Sequence, residues 1–171
     1  SLLAEYRIGR LVRMGRIPEG GSHRAVLIKT FVTTPLQDAI GKAWGLKVIN
    51  TLTGFKWIGE KLRDYEEELK RNLYEEEGLA IDYDATAPGK RRELHLRYGS
   101  FYAFGGEESY GYLASDRVRD KDAAAAVLLF TEMLASLKSS GKTVLGFLDE
   151  IYLKYGFHHE DLLNVYYEGA T

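Results

Sequence analysis

The apolar residues of this chain keep changing their spacing, and each change marks an element. Leu3, Arg7, Leu11 and Met14 fall near one face of a helix, and Gly15 is a natural stop. Ile17 to Ser22, rich in glycine and carrying Pro18, reads as a linker. The chain begins inside that first helical pattern, so residues 1–16 are expected to be a helix left from a preceding domain, with 17–24 as the linker. Exposed on such a helix, Leu3, Leu11 and Met14 would form an apolar face prone to adventitious association.

Ala25 to Phe31 is a mostly apolar run that suits a strand covered on both faces. Thr34 then offers an N-cap and Pro35 a first helical position, for a helix running to about Trp44 and closing at Gly45. Leu46 to Thr51 is a second strand. A strand, a short helix and a strand imply a parallel pair with a right-handed crossover. After Thr53 and Gly54, Phe55, Ile58, Leu62, Tyr65, Leu69 and Leu73 mark one face of a long helix. Glu66 with Lys70 and Glu67 with Arg71 are expected to pair on its wet side. Asp82 to Gly89 reads as a mobile turn, Glu93 to Tyr98 alternates like a half-exposed strand, and Ser100 to Phe104 suits a more buried one. Asp120 to about Leu137 is expected as a helix packed between neighbours, because its apolar residues wrap most of its surface. A last helix is capped by Thr143 and closed by Gly156. The fold class is therefore α/β: a small, mostly parallel sheet with helices on both faces.

Composition narrows the function classes. The chain has 171 residues, 45% hydrophobic and 28% charged, as expected of one globular domain with a real core. A net charge of −2 supplies no general attraction for nucleic acid or an anionic membrane, and Lys90-Arg91-Arg92 is too short a basic cluster to change that. There are no cysteines, which removes thiolate metal sites and disulfides and fits a cytoplasmic enzyme. No apolar run approaches the roughly 18 residues needed to span a bilayer.

Candidate chemistry concentrates in Gly105-Gly106-Glu107-Glu108-Ser109-Tyr110-Gly111. Two carboxylates and a hydroxyl sit in a glycine-flanked turn directly after an apolar strand, where parallel sheets bind ligands. A carboxylate accepts two hydrogen bonds, the geometry that a sugar diol presents. A solvated acidic turn would have the same sequence. The turn Thr51-Leu52-Thr53-Gly54, between a strand and a helix, offers N–H groups to an anion, although most such turns bind nothing. Arg119 and Lys121, at the start of a helix, would suit a phosphate; equally, Asp120 and Asp122 could cap that helix with the bases in solvent. Other patterns fail on context. Gly141-Lys142-Thr143 lacks the upstream glycine and strand of a P-loop, Asp82-Tyr83-Asp84 has no third ligand, and His158-His159 has no cysteine partner.

Three ordered segments together resemble one family, the α-D-phosphohexomutases. Gly106-Glu107-Glu108-Ser109-Tyr110-Gly111 resembles its sugar-recognition loop, Thr51-Leu52-Thr53-Gly54-Phe55-Lys56 its T-G-[FW]-K turn, and Arg119-Asp120-Lys121-Asp122 its R-x-K-D segment. The texture is most similar to the phosphoglucomutase branch. The resemblance implies the third of four domains, a three-layer α/β/α unit over residues 25–157, with 158–171 leading toward a fourth. It implies that Gly106, Glu107, Glu108 and Ser109 bind sugar, and that Thr53, Gly54, Arg119 and Lys121 bind phosphate. It also implies hexose phosphate as substrate, the other three domains of the same chain as partners, and a magnesium ion and a hexose 1,6-bisphosphate activator in the full-length enzyme. The family's phosphoserine loop, D-x-D-x-D-R metal loop and S-G-T-type phosphate loop are absent from these residues, so no catalytic residue and no metal site is expected here and the isolated chain should be inactive. A self-standing sugar-phosphate-binding or interaction module without catalysis is the alternative.

Overall fold

The computed structural model describes residues 1–161, 163 and 165–169. Its elements in chain order are α1 (Leu2–Arg13), β1 (Ser22–Thr30), α2 (Leu36–Ala43), β2 (Leu46–Thr51), α3 (Phe55–Glu77), α4 (Pro88–Tyr98), β3 (Phe101–Gly106), β4 (Tyr112–Leu113), α5 (Ala123–Ser139) and α6 (Val144–Tyr155). The four strands form one sheet in the order β2-β1-β3-β4. β1 lies parallel to both β2 and β3, and only the two-residue β4 runs antiparallel. The architecture is the mixed, mostly parallel α/β sheet that the sequence implies.

β1 is central because it is apolar on both sides. Every residue from Ala25 to Thr30 is buried. Ala25 and Leu27 face a core built with α1, α2, α5 and α6, whereas Val26 and Ile28 face Phe55, Ile58 and Leu62 of α3. Period-two alternation in β1 thus divides the helices into two layers. A third cluster, Leu69, Leu73, Tyr83, Leu94 and Tyr98, joins the far end of α3 to α4.

Several expectations need correction. Residues Glu93 to Tyr98 are helical and belong to α4. Leu94, Leu96 and Tyr98 alternate as in a strand, but the positions that are buried, Arg91, Leu94, His95 and Tyr98, repeat at helical spacing, and Pro88 sits in the first turn where it is tolerated. Two of those four are polar, which hid the helical face. α1 packs into the main core: Ala4, Ile8 and Leu11 are buried, Leu3 packs against that core, and only Met14 of the expected apolar face stays exposed. Glu66 is also buried, not on the wet side of α3. α5 begins at Ala123, capped by Asp122, whose Oδ1 accepts the Ala125 N–H at 3.1 Å. It is covered on one face alone: Leu129, Met133 and Leu137 are buried, but Val127 is 64% and Leu128 71% exposed. The segment 158–171 includes residues 162, 164, 170 and 171, which lie outside the described residues.

No single helix among the described residues is long and apolar enough to cross a membrane.

Candidate functional site

The parallel register brings Lys29 of β1 beside Asn50 of β2 and Gly106 of β3. The loops that follow these three strands, 31–35, 52–54 and 107–111, therefore emerge at one edge of the sheet. This is where open parallel sheets bind ligands.

The two consecutive glutamates reach in different directions. Glu107 Oε1 accepts the Gly54 N–H at 2.6 Å, which ties the third loop to the N-terminus of α3. The Glu107 N–H donates to Gly111 O at 2.8 Å and closes the loop on itself. Gly111 has no room for a side chain: a Cβ there would lie 2.6 Å from Glu107 Oε2 and 3.0 Å from Phe55. Glu108 Oε2 accepts from the buried Thr30 hydroxyl at 3.0 Å, tying the same loop to the end of β1. Since a carboxylate cannot donate, the Thr30 proton goes to Glu108, and Thr33 Oγ1, 2.8 Å away, donates to Thr30. Ser109 Oγ donates to Glu108 Oε1 at 3.4 Å. Tyr110 takes a left-handed φ of 54° and is almost wholly exposed, so the turn presents its tip to solvent.

A cavity of about 240 Å³ opens between the first and third loops, lined by Val32, Thr33, Thr34, Gln37, Glu107 and Glu108 among others. Both carboxylates and two threonines thus face one space. Sequence reasoning missed three residues around it. Lys29 is 3% exposed, and its Nζ donates to Thr33 O at 2.9 Å and pairs with Asp38 Oδ2 at 2.9 Å, fixing the first loop. Thr30 orients Glu108 as above. Gln37 is buried, and its Oε1 has no hydrogen-bond partner among the described residues. The one available signal was a lysine inside an otherwise apolar strand, a residue that is buried only when paired.

The structure joins Thr53-Gly54 to Glu107, and Gly106 to the start of the same loop. It places the other two expected phosphate residues differently. Arg119 pairs with Glu66 on α3, and Lys121 turns to its neighbour, with Nζ 3.4 Å from Asp120 Oδ1. Burial works against ionised Glu66, but hydrogen bonds from Lys70 and Arg119 outweigh it and lower its pKa. Among the described residues no group of three or more histidines or carboxylates could hold a metal ion.

The fold is a three-layer α/β/α unit whose loops at the carboxyl ends of the parallel strands bring Glu107 and Glu108 to one cavity. Comparison with known proteins gives the same class. The family model for the phosphoglucomutase/phosphomannomutase alpha/beta/alpha domain III matches residues 9–78 and 91–155. The phosphoglucomutase of Staphylococcus aureus strain N315 is 28% identical over 169 residues, 99% of this chain and 24% of its own length. That of strain MSSA476 is 27% identical over 164 residues, 96% of this chain and 23% of its own. A solved structure described as a phosphomannomutase from Thermus thermophilus shares the fold with a TM-score of 0.56 and 24% identity, over 91% of this chain and 25% of that one. The chain belongs to the phosphoglucomutase/phosphomannomutase family, as its domain III. It spans about a quarter of the length of the curated relatives it matches.

Proposed function

We propose that this chain is the sugar-phosphate-recognising domain of a phosphohexomutase, an enzyme that interconverts hexose 1-phosphate and 6-phosphate through a phosphoserine and a bisphosphate intermediate. The observation that carries the reading is the Glu107–Glu108 pair, Glu107 bonded to the start of α3 and Glu108 to the end of β1, with both lining one cavity. Two fixed carboxylates suit the hydroxyls of a sugar, and Ser109 adds a donor or acceptor beside them. Gly106 lets the backbone approach. The Thr53-Gly54 turn at the start of α3 suits a phosphate, with Arg119 and Lys121 supplying cationic charge once released from Glu66 and Asp120.

The residues of this chain bind and orient; none of them forms or breaks a bond to phosphorus. Positioning of that kind supports catalysis only where the reacting groups are present. The phosphoserine, a magnesium ion that offsets charge on the transferring group, and the hexose 1,6-bisphosphate activator belong on this reading to the rest of a longer, cytoplasmic enzyme. The isolated chain is accordingly inactive as a mutase. Calorimetric titration with glucose 6-phosphate tests the binding role. Weak binding that falls about tenfold or more in Glu107→Ala, the loss of one charged hydrogen bond, is expected. Equal affinity of the two proteins would refute the assignment, and turnover by a rigorously purified sample would refute the inactivity.

A further inference from the structure

The family match omits residues 79–90, and the structure gives that segment a definite attachment. Tyr83, 6% exposed, projects its hydroxyl between His95 of α4 and Asp116, in the stretch between β4 and α5. Its Oη lies 2.9 Å from His95 Nε2 and 3.2 Å from Asp116 Oδ2. The Arg91 guanidinium covers the Tyr83 ring at 4.8 Å and donates through Nη1 to the Tyr83 carbonyl, which fixes the ring in place.

The direction of these bonds follows from proton counting. A phenol has one proton and the Asp116 carboxylate only accepts, so that proton goes to Asp116. The phenolic oxygen must then accept from His95, which puts the imidazole proton on Nε2 and leaves Nδ1 a bare lone pair. Nδ1 indeed has no hydrogen-bond partner among the described residues. A cavity of about 10 Å³, lined by His95, Ser100, Asp116 and Arg119 among others, leaves room beside the ring for one water.

Asp116 lies three residues before Arg119, which is held by Glu66. Between these two anchors the chain runs directly over α3: a Cβ on Gly59 would come 2.5 Å from Arg119 O. The stretch 114–121 carries both proposed phosphate-binding cations, yet it has only the short β4 before it and α5 after it to give it shape.

We propose that residues 79–90 act as a brace for the 114–121 stretch, with Tyr83 and His95 as positioning residues for Arg119 and Lys121. The brace itself stands on contacts in the fold; its bearing on phosphate rests on the sugar-phosphate reading above.

Nitrogen NMR of the histidine-labelled 171-residue chain and hydrogen exchange test this directly. The expected His95 signature is a protonated Nε2 and an unprotonated Nδ1. Tyr83→Phe and Asp116→Ala should each speed exchange of the Asp122 amide, which donates to Tyr112 O and closes this stretch, about tenfold without altering α1 or α6, and Asp116→Asn, which keeps an acceptor, should restore protection. If Tyr83→Phe fails to fold, Asp116→Ala cuts the same bond from the other side. A protonated Nδ1 in the wild type, or unchanged exchange in the variants, overturns the brace. If these readouts hold while inorganic phosphate perturbs no resonance in 114–121, the brace stands and the phosphate role of Arg119 and Lys121 falls.

Discussion

Gly111→Ala would break the central contact of the site without removing either of its partners. A methyl group there would sit 2.6 Å from Glu107 Oε2 and 3.2 Å from Glu107 Cγ, against an ordinary contact of 3.4 Å or more. The carboxylate must therefore retreat by about 0.8 Å, the difference between 3.4 and 2.6 Å. The other side offers no relief, because the same methyl lies 3.0 Å from Phe55, which is buried. Such a retreat takes Oε1 away from the Gly54 N–H, now 2.6 Å off and in the range of a charge-assisted bond. Bonds of that kind contribute about 1.5–3 kcal/mol, and the half-buried position of Glu107 puts this one at the lower end. For a chain of this size, about 1.5 kcal/mol corresponds to a Tm lower by roughly 3–6 °C. Thermal unfolding followed by circular dichroism reads that loss, and the Gly54 amide proton, which the 2.6 Å bond should hold far downfield in the wild type, should move upfield. A Tm within about 1 °C of wild type together with an unmoved Gly54 resonance would refute the reasoning, because both follow from one displaced carboxylate.

Other outcomes follow from the same structure. Burial pulls the His95 pKa down from 6.5 to about 4, partly offset by Asp116. The folded state thus binds fewer protons than the unfolded one, so this contribution is complete above about pH 6.5 and is lost as pH falls toward 4. Urea titrations across that window should show stability falling by on the order of 3 kcal/mol more in the wild type than in His95→Asn. Leu69→Ala, at a fully buried site joining α3 to α4, should cost about 2–5 kcal/mol in the same assay. Asp122→Ala removes the cap of α5 and should cost about 1 kcal/mol. Leu128→Gln, on the bare face of α5, should change stability by no more than about 0.5 kcal/mol, and a larger loss would mean that the face is covered.

What could be read from the sequence depended on how far each element declares itself locally. β1 was legible because an unbroken apolar run admits few other readings, and α3 because its apolar positions keep one period from Phe55 to Leu73. α4 was misread because its buried face includes Arg91 and His95, whose burial is stabilised by Tyr83 and Asp116 from outside the helix. No window of residues 93–98 contains that information. The site shows the same division. Glu107, Glu108 and Gly54 stood out by their loops, but Thr30 gained its role only when β1 came to lie beside β3, and Lys29 only when the chain after β1 folded back to offer Thr33 O and Asp38. The Glu66–Arg119 pair spans 53 positions, so Glu66 looked like a surface partner of Lys70 and nothing more.

An amide NMR titration of the labelled chain with glucose 1-phosphate, glucose 6-phosphate and inorganic phosphate decides whether the loops after β1, β2 and β3 form the one sugar-phosphate site proposed above. One shared site predicts shifts grouped at Gly106–Gly111 and Thr53-Gly54 with the sugar phosphates, at Thr53-Gly54 alone with phosphate, and none at Gly106–Gly111 in Glu107→Ala. Shifts confined to the cleft between α3 and α4 lined by Leu73, Ile81 and Leu94, or sugar-phosphate shifts that persist unchanged in Glu107→Ala, would contradict it.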